Sequence, residues 1–426
     1  MTAPEQTGLL HWIEGGGVTS AQGFQAAGIH AGFRANPNRL DLALVVADEP
    51  CAAAGVFTQN VFCAAPVRYC RHILETEAEG ESYGCTRAVV VNSGNANAAT
   101  GQKGLDAAFE AARMTAQVIG CPSDEVLVAS TGVIGVQLPL EPYQEGLPRV
   151  FAQLSREGGA DAANAIMTTD TYSKEAACSF SGDGLGYEGC TFTVGAMAKG
   201  SGMIMPNMAT MIAVVTTDAP VKPRDLRGAL KRAADVSFNK VTVDSDTSTN
   251  DTCIALASGA AAPAGAPAFE PGTGAFAAFE EALTQVCIRL AKAMAKDGEG
   301  ATKLVNVAVT GARTPEDADA VARTVANSPL VKTAIAGHDA NWGRIAAAAG
   351  RSGAVFQQED VDISILGIPV CQNGLALAFD EEEALRRFEG PEVDIVICLG
   401  AGEACTTLWT CDLTHEYISI NGDYRT

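Results

Sequence analysis

Histidine is scarce in this chain of 426 residues, with only five in all. His415-Glu416 has no second histidine four residues on, so the helical zinc-hydrolase signature is missing. Aromatic residues are sparse at 6%, while glycine is plentiful at 44. The core must therefore be built from Ala, Val, Ile and Leu with close backbone approaches. Positive charge is short too: 29 Lys and Arg stand against 50 Asp and Glu, a net charge of −21. Phosphate backbones and anionic lipid surfaces are repelled by such a chain, so neither nucleic acid nor membrane is an expected partner. No apolar run approaches the roughly 18 residues of a membrane span. Met1–Gln6 has neither a basic start nor an apolar stretch, so no export signal is expected. The thirteen cysteines cannot all pair within one chain, and no two have Cys-x-x-Cys spacing. A zinc ribbon is excluded, no metal site is expected, and small core thiols in a reducing, cytoplasmic compartment are the expectation.

What is present is a normal globular balance, 47% hydrophobic and 19% charged. Strands are expected at Leu40–Ala47, Gly55–Gln59, Arg87–Val91, Glu125–Ser130, Thr191–Ala198, Met211–Thr217, Lys303–Thr310, Val361–Leu366, Val393–Cys398 and Tyr417–Ile420. Helical spacing covers Leu105–Ile119, Ala160–Met167, Leu226–Phe238, Phe276–Ala295, Asp317–Ser328 and Val331–Ile335. The first of these should stop at Gly120, with Pro122 just beyond. Strands and helices alternate irregularly, which gives an α/β or α+β fold. The Ala/Pro/Gly-rich stretch 259–275 and the Gly-rich loop 182–189 read as surface elaborations.

Several formal motifs fail on context. Gly80–Gly84 fits Gly-x-Ser-x-Gly, but it precedes a strand, whereas a nucleophile elbow follows one. Gly184–Gly189 fits Gly-x-Gly-x-x-Gly but leads into a strand, so a hairpin turn is expected. The dipeptide Gly-Lys never occurs, which excludes a P-loop. Asp244 and Asp246 begin like a calcium loop, yet Thr249 and Ala255 stand where Gly and Glu are needed.

The unusual stretch is Lys199–Val215, in which a Gly-rich turn and Pro206 lead to Thr210 at the head of an apolar strand. Taken alone it is a loop before a strand, with Thr210 chosen for β-propensity. Chemistry offers another reading. A threonine hydroxyl is a weak nucleophile without a base, and chain cleavage before it frees its own α-amine for that role. Such an amine titrates near 7.7–8.0, close to working pH. The small residue Ala209 and the run Lys199–Gly202 suit cleavage there, and no catalytic histidine is needed.

Lys199–Thr210 resembles the self-cleavage segment of the ornithine acetyltransferase (glutamate N-acetyltransferase) family of arginine biosynthesis. The resemblance extends over nearly the whole chain through Asn92–Asn97, Ser130–Gly135, Met167–Thr171, Asp244–Thr252, Asp297–Lys303, Asn341–Arg344 and Ile420–Thr426. It implies a layered α/β sandwich of the self-processing type. It also implies cleavage between Ala209 and Thr210 into chains 1–209 and 210–426, which stay associated, and a heterotetramer of two such pairs. Thr210 would take the acetyl group of N-acetylornithine and pass it to glutamate. Thr131 and Gly132 would form the oxyanion hole, and Thr169, Lys199, Thr210, Glu299, Asn421 and Thr426 would bind substrate. No cofactor is implied, although some members accept acetyl-CoA as a co-substrate.

Read one at a time, these residues have plainer interpretations. Lys199 and Glu299 would be loop charges, Thr169 a cap or turn residue, and Asn421 and Thr426 a polar tail. Asn92–Asn97 reads as a lining of the site or as a polar loop bridging strand and helix, Asp244–Asp251 as a hydrogen-bond network holding the second chain or as solvated carboxylates, and Asn341–Arg344 as one side of a pocket or an interface. Ser245 and Ser173 depart from the family pattern, where Gly and Pro are usual, and Gly422 and Arg425 vary within the terminal segment. Two other functions remain: an amidase or aminopeptidase with the same N-terminal nucleophile and water as acceptor, and a non-catalytic binding protein of the same fold.

Overall fold

The computed structural model describes residues 10–75, 84–205 and 211–423. Ala209, Thr210, Thr426 and most of Gly80–Gly84 lie outside these residues. Nine strands form the larger sheet: β1 (Leu10–Trp12), β2 (Phe24–Ile29), β3 (Leu42–Phe57), β4 (Cys85–Asn95), β5 (Val126–Val133), β6 (Lys174–Ser181), β7 (Thr191–Lys199), β8 (Ile212–Thr217) and β9 (Thr252–Ala257). Their order is β1-β6-β7-β8-β9-β3-β4-β5, with β2 also paired to β3.

Period-two alternation explains why this sheet is covered on both faces. In β8, Ile212 and Val214 enter one apolar cluster, and Ala213 and Val215 enter the other. In β9, Ile254 and Leu256 face the first cluster, and Cys253 and Ala255 the second. The first face is covered by α1 (Ala65–Glu75), α2 (Gly101–Ile119), α3 (Glu141–Phe151) and α4 (Gly159–Ala165). The second is covered by α5 (Pro223–Val236) and α6 (Gly274–Lys296). The expected layered α/β sandwich is thus observed. α2 stops where the sequence places its end: Gly120 takes φ +81° and its N–H bonds the Ala116 carbonyl at 2.8 Å.

A second sheet follows, made of β10 (Leu304–Ala312), β11 (Asp362–Ile365), β12 (Ile368–Gln372), β13 (Leu375–Ala376), β14 (Glu392–Cys398) and β15 (Ala404–Cys411). Helices α7 (Pro315–Ala326), α8 (Pro329–Ala336), α9 (Trp342–Gly350) and α10 (Glu381–Phe388) supply side chains to its apolar cluster. The chain closes with α11 (His415–Asp423).

Three expectations are corrected. Tyr417–Ile420 is helical, inside α11, and Thr414 starts that turn by accepting the Glu416 N–H at 3.2 Å. The β-branched pair Ile418 and Ile420 favours a strand locally, but among the described residues no strand pairs with this segment. Gly55–Gln59 is no separate strand: 55–57 end the long β3, whose register shifts between Val46 and Cys51. The two surface elaborations pack on one another. Phe269 is buried against Tyr187 and Phe192 at ring distances of 4.8 and 4.9 Å, and the Tyr187 hydroxyl donates to the Pro267 carbonyl. Asn341 caps α9, and Arg344 donates to the Leu330 carbonyl at 2.8 Å, so this segment joins α8 to α9. Gly184–Gly189 lies in the β6–β7 connection, as expected of a hairpin turn.

One pH effect belongs to the fold. Burial, with the Asp161 charge nearby, raises the Glu175 carboxyl from 4.5 to about 7. The native state therefore holds this proton between those pH values while the unfolded chain has released it, and the contribution to stability falls as pH rises from about 4.5 to 7. Glu175→Gln is expected to flatten that part of the melting-temperature profile, measured as the difference from wild type at each pH.

Candidate active site

One cavity, about 140 Å³ in volume, gathers residues from widely separated segments. Thr131, Gly132, Thr169, Lys199, Glu299 and Asn421 all line it. Every proposed catalytic or binding residue that the structure describes is therefore at one place. Among the described residues, no group of three or more His, Cys, Asp or Glu side chains is arranged to hold a metal ion.

Thr131 and Gly132 lie near the end of β5, where its parallel pairing with β4 shifts register at Gly94 and Asn95. Gly132 has φ +136°, and a Cβ there would lie 2.3 Å from the Gly94 carbonyl carbon. Only glycine fits at this turn, and Gly132 lines the cavity.

Lys199 ends β7 and is only 5% exposed, far from the loop charge it resembles in isolation. Burial lowers its pKa, and the Asp170 carboxylate opposes that shift. Asp170 is itself buried. Burial alone would raise its carboxyl, but the charges of Lys199 and Lys174 outweigh that and hold it well below the usual range. Lys174, fully buried, bridges Asp170 at 2.7 Å and Asp297 at 2.5 Å. Asp170 also accepts the Gly200 N–H at 2.7 Å and the Thr168 N–H at 2.9 Å. A buried Asp170–Lys174–Asp297 array thus fixes the segments that carry Thr169, Lys199 and Glu299.

Glu299 is 8% exposed and accepts a hydrogen bond from Asn421 Nδ2 at 2.8 Å. Its backbone N–H donates to the Ser201 carbonyl at 3.0 Å. A Cβ on Gly202 would lie 2.3 Å from the Glu299 carboxyl, so the glycine gives that carboxyl its seat. α11 brings Asn421 and Tyr417 to the cavity, and Thr414 ties the start of the helix to the Gly300 carbonyl at 2.6 Å. α11 runs as far as Asp423.

The approach to Pro206 is held from a different side. Asp244 accepts the N–H of Met203 at 2.6 Å and of Ile204 at 2.8 Å, and Met203 takes the unusual φ of +57°. Thr247 Oγ1 donates to the Met205 carbonyl at 2.9 Å. The sequence reads Asp244–Asp251 as a hydrogen-bond network or as solvated carboxylates, yet Asp244, Asp246, Ser248, Thr249 and Asn250 also line the cavity. The signal was there: a long run of carboxylate, hydroxyl and amide groups leading directly into an apolar strand. Ala96, from the Asn92–Asn97 segment, reaches the cavity as well. Asn341–Arg344 does not line it.

Residues 25–426 match the ArgJ family. The arginine biosynthesis bifunctional protein ArgJ of Symbiobacterium thermophilum is 50% identical over 98% of this chain and 100% of its own length. The protein of the same description from Thermosynechococcus vestitus is 48% identical over the same shares. A crystal structure of arginine biosynthesis bifunctional protein ArgJ from Bacillus halodurans aligns at 44% identity, covering 50% of this chain and 98% of that one, with a TM-score of 0.48.

Proposed function

We propose, for a chain that belongs to the ArgJ family, that its reaction is transfer of the acetyl group from N-acetylornithine to glutamate through Thr210. The observation that carries this reading is the convergence of Thr131, Gly132, Thr169, Lys199, Glu299 and Asn421 on one cavity.

The Thr210 hydroxyl first attacks the Ala209 carbonyl, and hydrolysis of the resulting ester frees the Thr210 amine. That amine then accepts the hydroxyl proton as Thr210 attacks the acetyl carbonyl. The tetrahedral oxyanion is received by the Thr131 hydroxyl and the Gly132 N–H. Its collapse breaks the C–N bond, ornithine leaves with the proton, and the enzyme carries an acetyl ester. The glutamate amine attacks that ester, yields N-acetylglutamate and restores the hydroxyl. Among the described lining residues Lys199 is the only cation, suited to a substrate carboxylate, while Glu299 is suited to an ammonium or a reacting amine. Thr169, Asn421 and Thr426 complete the binding set.

Sheet topology supports persistence of the cut pair. Cleavage before Thr210 leaves β8 and β9 on the C-terminal fragment, wedged between β7 and β3 of the N-terminal one. β8 pairs with β7 over six residues and β9 with β3 over six, so separation would expose both rows of backbone groups. We assign two such pairs to a heterotetramer. The cytoplasm is the proposed compartment, in keeping with thirteen free thiols. Acetyl-CoA is assigned as a second acetyl donor, in keeping with the word bifunctional in the relatives' names. No bound cofactor is required.

The test is loss of acetylornithine with and without glutamate. Strong acceleration by glutamate, with N-acetylglutamate formed in equal amount, is expected. Equal loss to water would make the protein an amidase, and no loss with an uncut chain would leave a binding protein.

A further inference from the structure

The two halves of this machinery sit on strands that are not neighbours. β8, which follows Thr210, is separated from β5, which carries Thr131 and Gly132, by β9, β3 and β4. Four steps between flat neighbouring strands would place them about 19 Å apart. Sheet pairing alone therefore does not bring the end of β5 to the head of β8.

A direct connection does. Asn250, just before β9, donates from Nδ2 to the Ser130 carbonyl at 2.8 Å and to the Ala96 carbonyl at 2.5 Å. Thr249 Oγ1 donates to Asn250 Oδ1 at 2.6 Å, which fixes the amide with its NH2 toward those carbonyls. The next residue, Asp251, turns to the other half: its Oδ1 accepts the Met211 N–H at 2.9 Å. That nitrogen belongs to the peptide bond joining Thr210 to Met211. Thr252 N–H closes the pair by donating to the Met211 carbonyl at 2.9 Å. Lys199, Ile212 and Thr252 are in register across β7, β8 and β9, so this clamp stands at the cavity end of the sheet.

We infer that Asn250 and Asp251 are positioning residues for the acyl-transfer centre: Asn250 holds the carbonyl before Thr131, and Asp251 holds the amide after Thr210, so that nucleophile and oxyanion donors meet the same carbonyl. The inference rests on Thr210 being the nucleophile. Neither residue touches a reacting atom in this scheme, and Asp251 acts through the Met211 amide. Two features of Asp251 fit a group kept for holding a backbone donor and not for pairing with a charge. It is 2% exposed, and its Oδ2 makes no well-formed hydrogen bond among the described residues. Burial raises its carboxyl well above the ordinary range, and the Met211 amide, the nearby Thr58 and Ser248 hydroxyls and the Lys199 charge offset this only in part. Asparagine is a close mimic of this carboxyl in shape and in its acceptor oxygen.

The test uses the full chain as wild type, Asp251→Asn, Asp251→Ala, Asn250→Ala and Thr210→Ala. Intact mass against time gives the self-cleavage rate, steady-state kinetics of the cleaved protein give kcat and KM, and thermal melting reports the fold. Asp251→Asn is expected to stay within about threefold of wild type in both rates, because its carbonyl oxygen still accepts the Met211 N–H. Asp251→Ala and Asn250→Ala are expected to lose about tenfold to a hundredfold in cleavage rate and kcat with KM for acetylornithine little changed, the mark of lost orientation. Asp251→Ala at wild-type rates would overturn the inference. So would a folded Asp251→Asn as slow as the alanine variant, which would require an ionising carboxylate. An uncut wild-type chain, by contrast, would count against the Thr210 reading itself, and cut wild type beside uncut Thr210→Ala would sustain that reading whatever the clamp variants do.

Discussion

Thr131→Val is expected to lower kcat for acetyl transfer by about a hundredfold to a thousandfold, the effect of deleting one preorganised oxyanion donor. The substitution keeps the β-branched shape and removes only the hydroxyl. Gly132, whose positive φ and contact with Gly94 set the turn, stays in place. KM for acetylornithine should change little, because the donor acts on charge that develops after binding. Self-cleavage should slow as well, since attack on the Ala209 carbonyl passes through the same kind of oxyanion. Rates are compared per cleaved chain, with cleavage followed separately by mass. Unchanged kcat would remove Thr131 from the oxyanion hole and leave it a lining residue.

Lys174→Met is expected to be the most destabilising of these changes, by about 3–5 kcal/mol in a denaturant or thermal melt. Lys174 is fully buried between two buried carboxylates, Asp170 and Asp297. Removing the cation leaves both without their shared counter-charge, which costs more than the bridge itself contributes. Asp170 should respond first, because its pKa is held low partly by Lys174 and would rise on its loss. Asp297 would keep the Thr171 N–H at 3.0 Å but lose its charged partner, and the turn it shares with Glu299 should loosen. Combining Lys174→Met with Asp297→Asn should recover part of the stability, because one uncompensated charge is then gone. A single variant as stable as wild type would show that this array does not hold the site.

The strands and helices that the sequence exposes most clearly are those with one dominant local cause. α2 has helical spacing, a left-handed glycine stop and a proline beyond it. β8 is a short apolar run, and its burial on both faces explains why it lacks polar alternation. Misreadings arose where tertiary context decides. Ile418 and Ile420 favour a strand locally, but the segment is helical in α11, which is tied to the site by the Thr414–Gly300 and Asn421–Glu299 hydrogen bonds. The 259–275 stretch is rich in breakers, yet Phe269 anchors it in an aromatic cluster that no local pattern announces.

At the site, the proposed residues were legible only through resemblance, because each one read singly is an ordinary loop or cap residue. Lys199 shows why. The charges that act on it once it is buried, those of Asp170, Lys174 and Glu299, lie 29, 25 and 100 positions away in the sequence. The Asp244–Asp251 run was visible as an oddity, but its double duty was not. Holding the 203–205 approach through Asp244 and Thr247, and lining the cavity through Ser248–Asn250, needs the fold to bring those segments together.

The most direct test of the central claim is the intact mass of the purified chain after incubation with N-acetylornithine and no glutamate. The account predicts two fragments meeting between Ala209 and Thr210, with one acetyl group added to the fragment that begins at Thr210 and lost again when glutamate is supplied. An uncut chain, or a cut chain that never carries an acetyl group on that fragment, would contradict it.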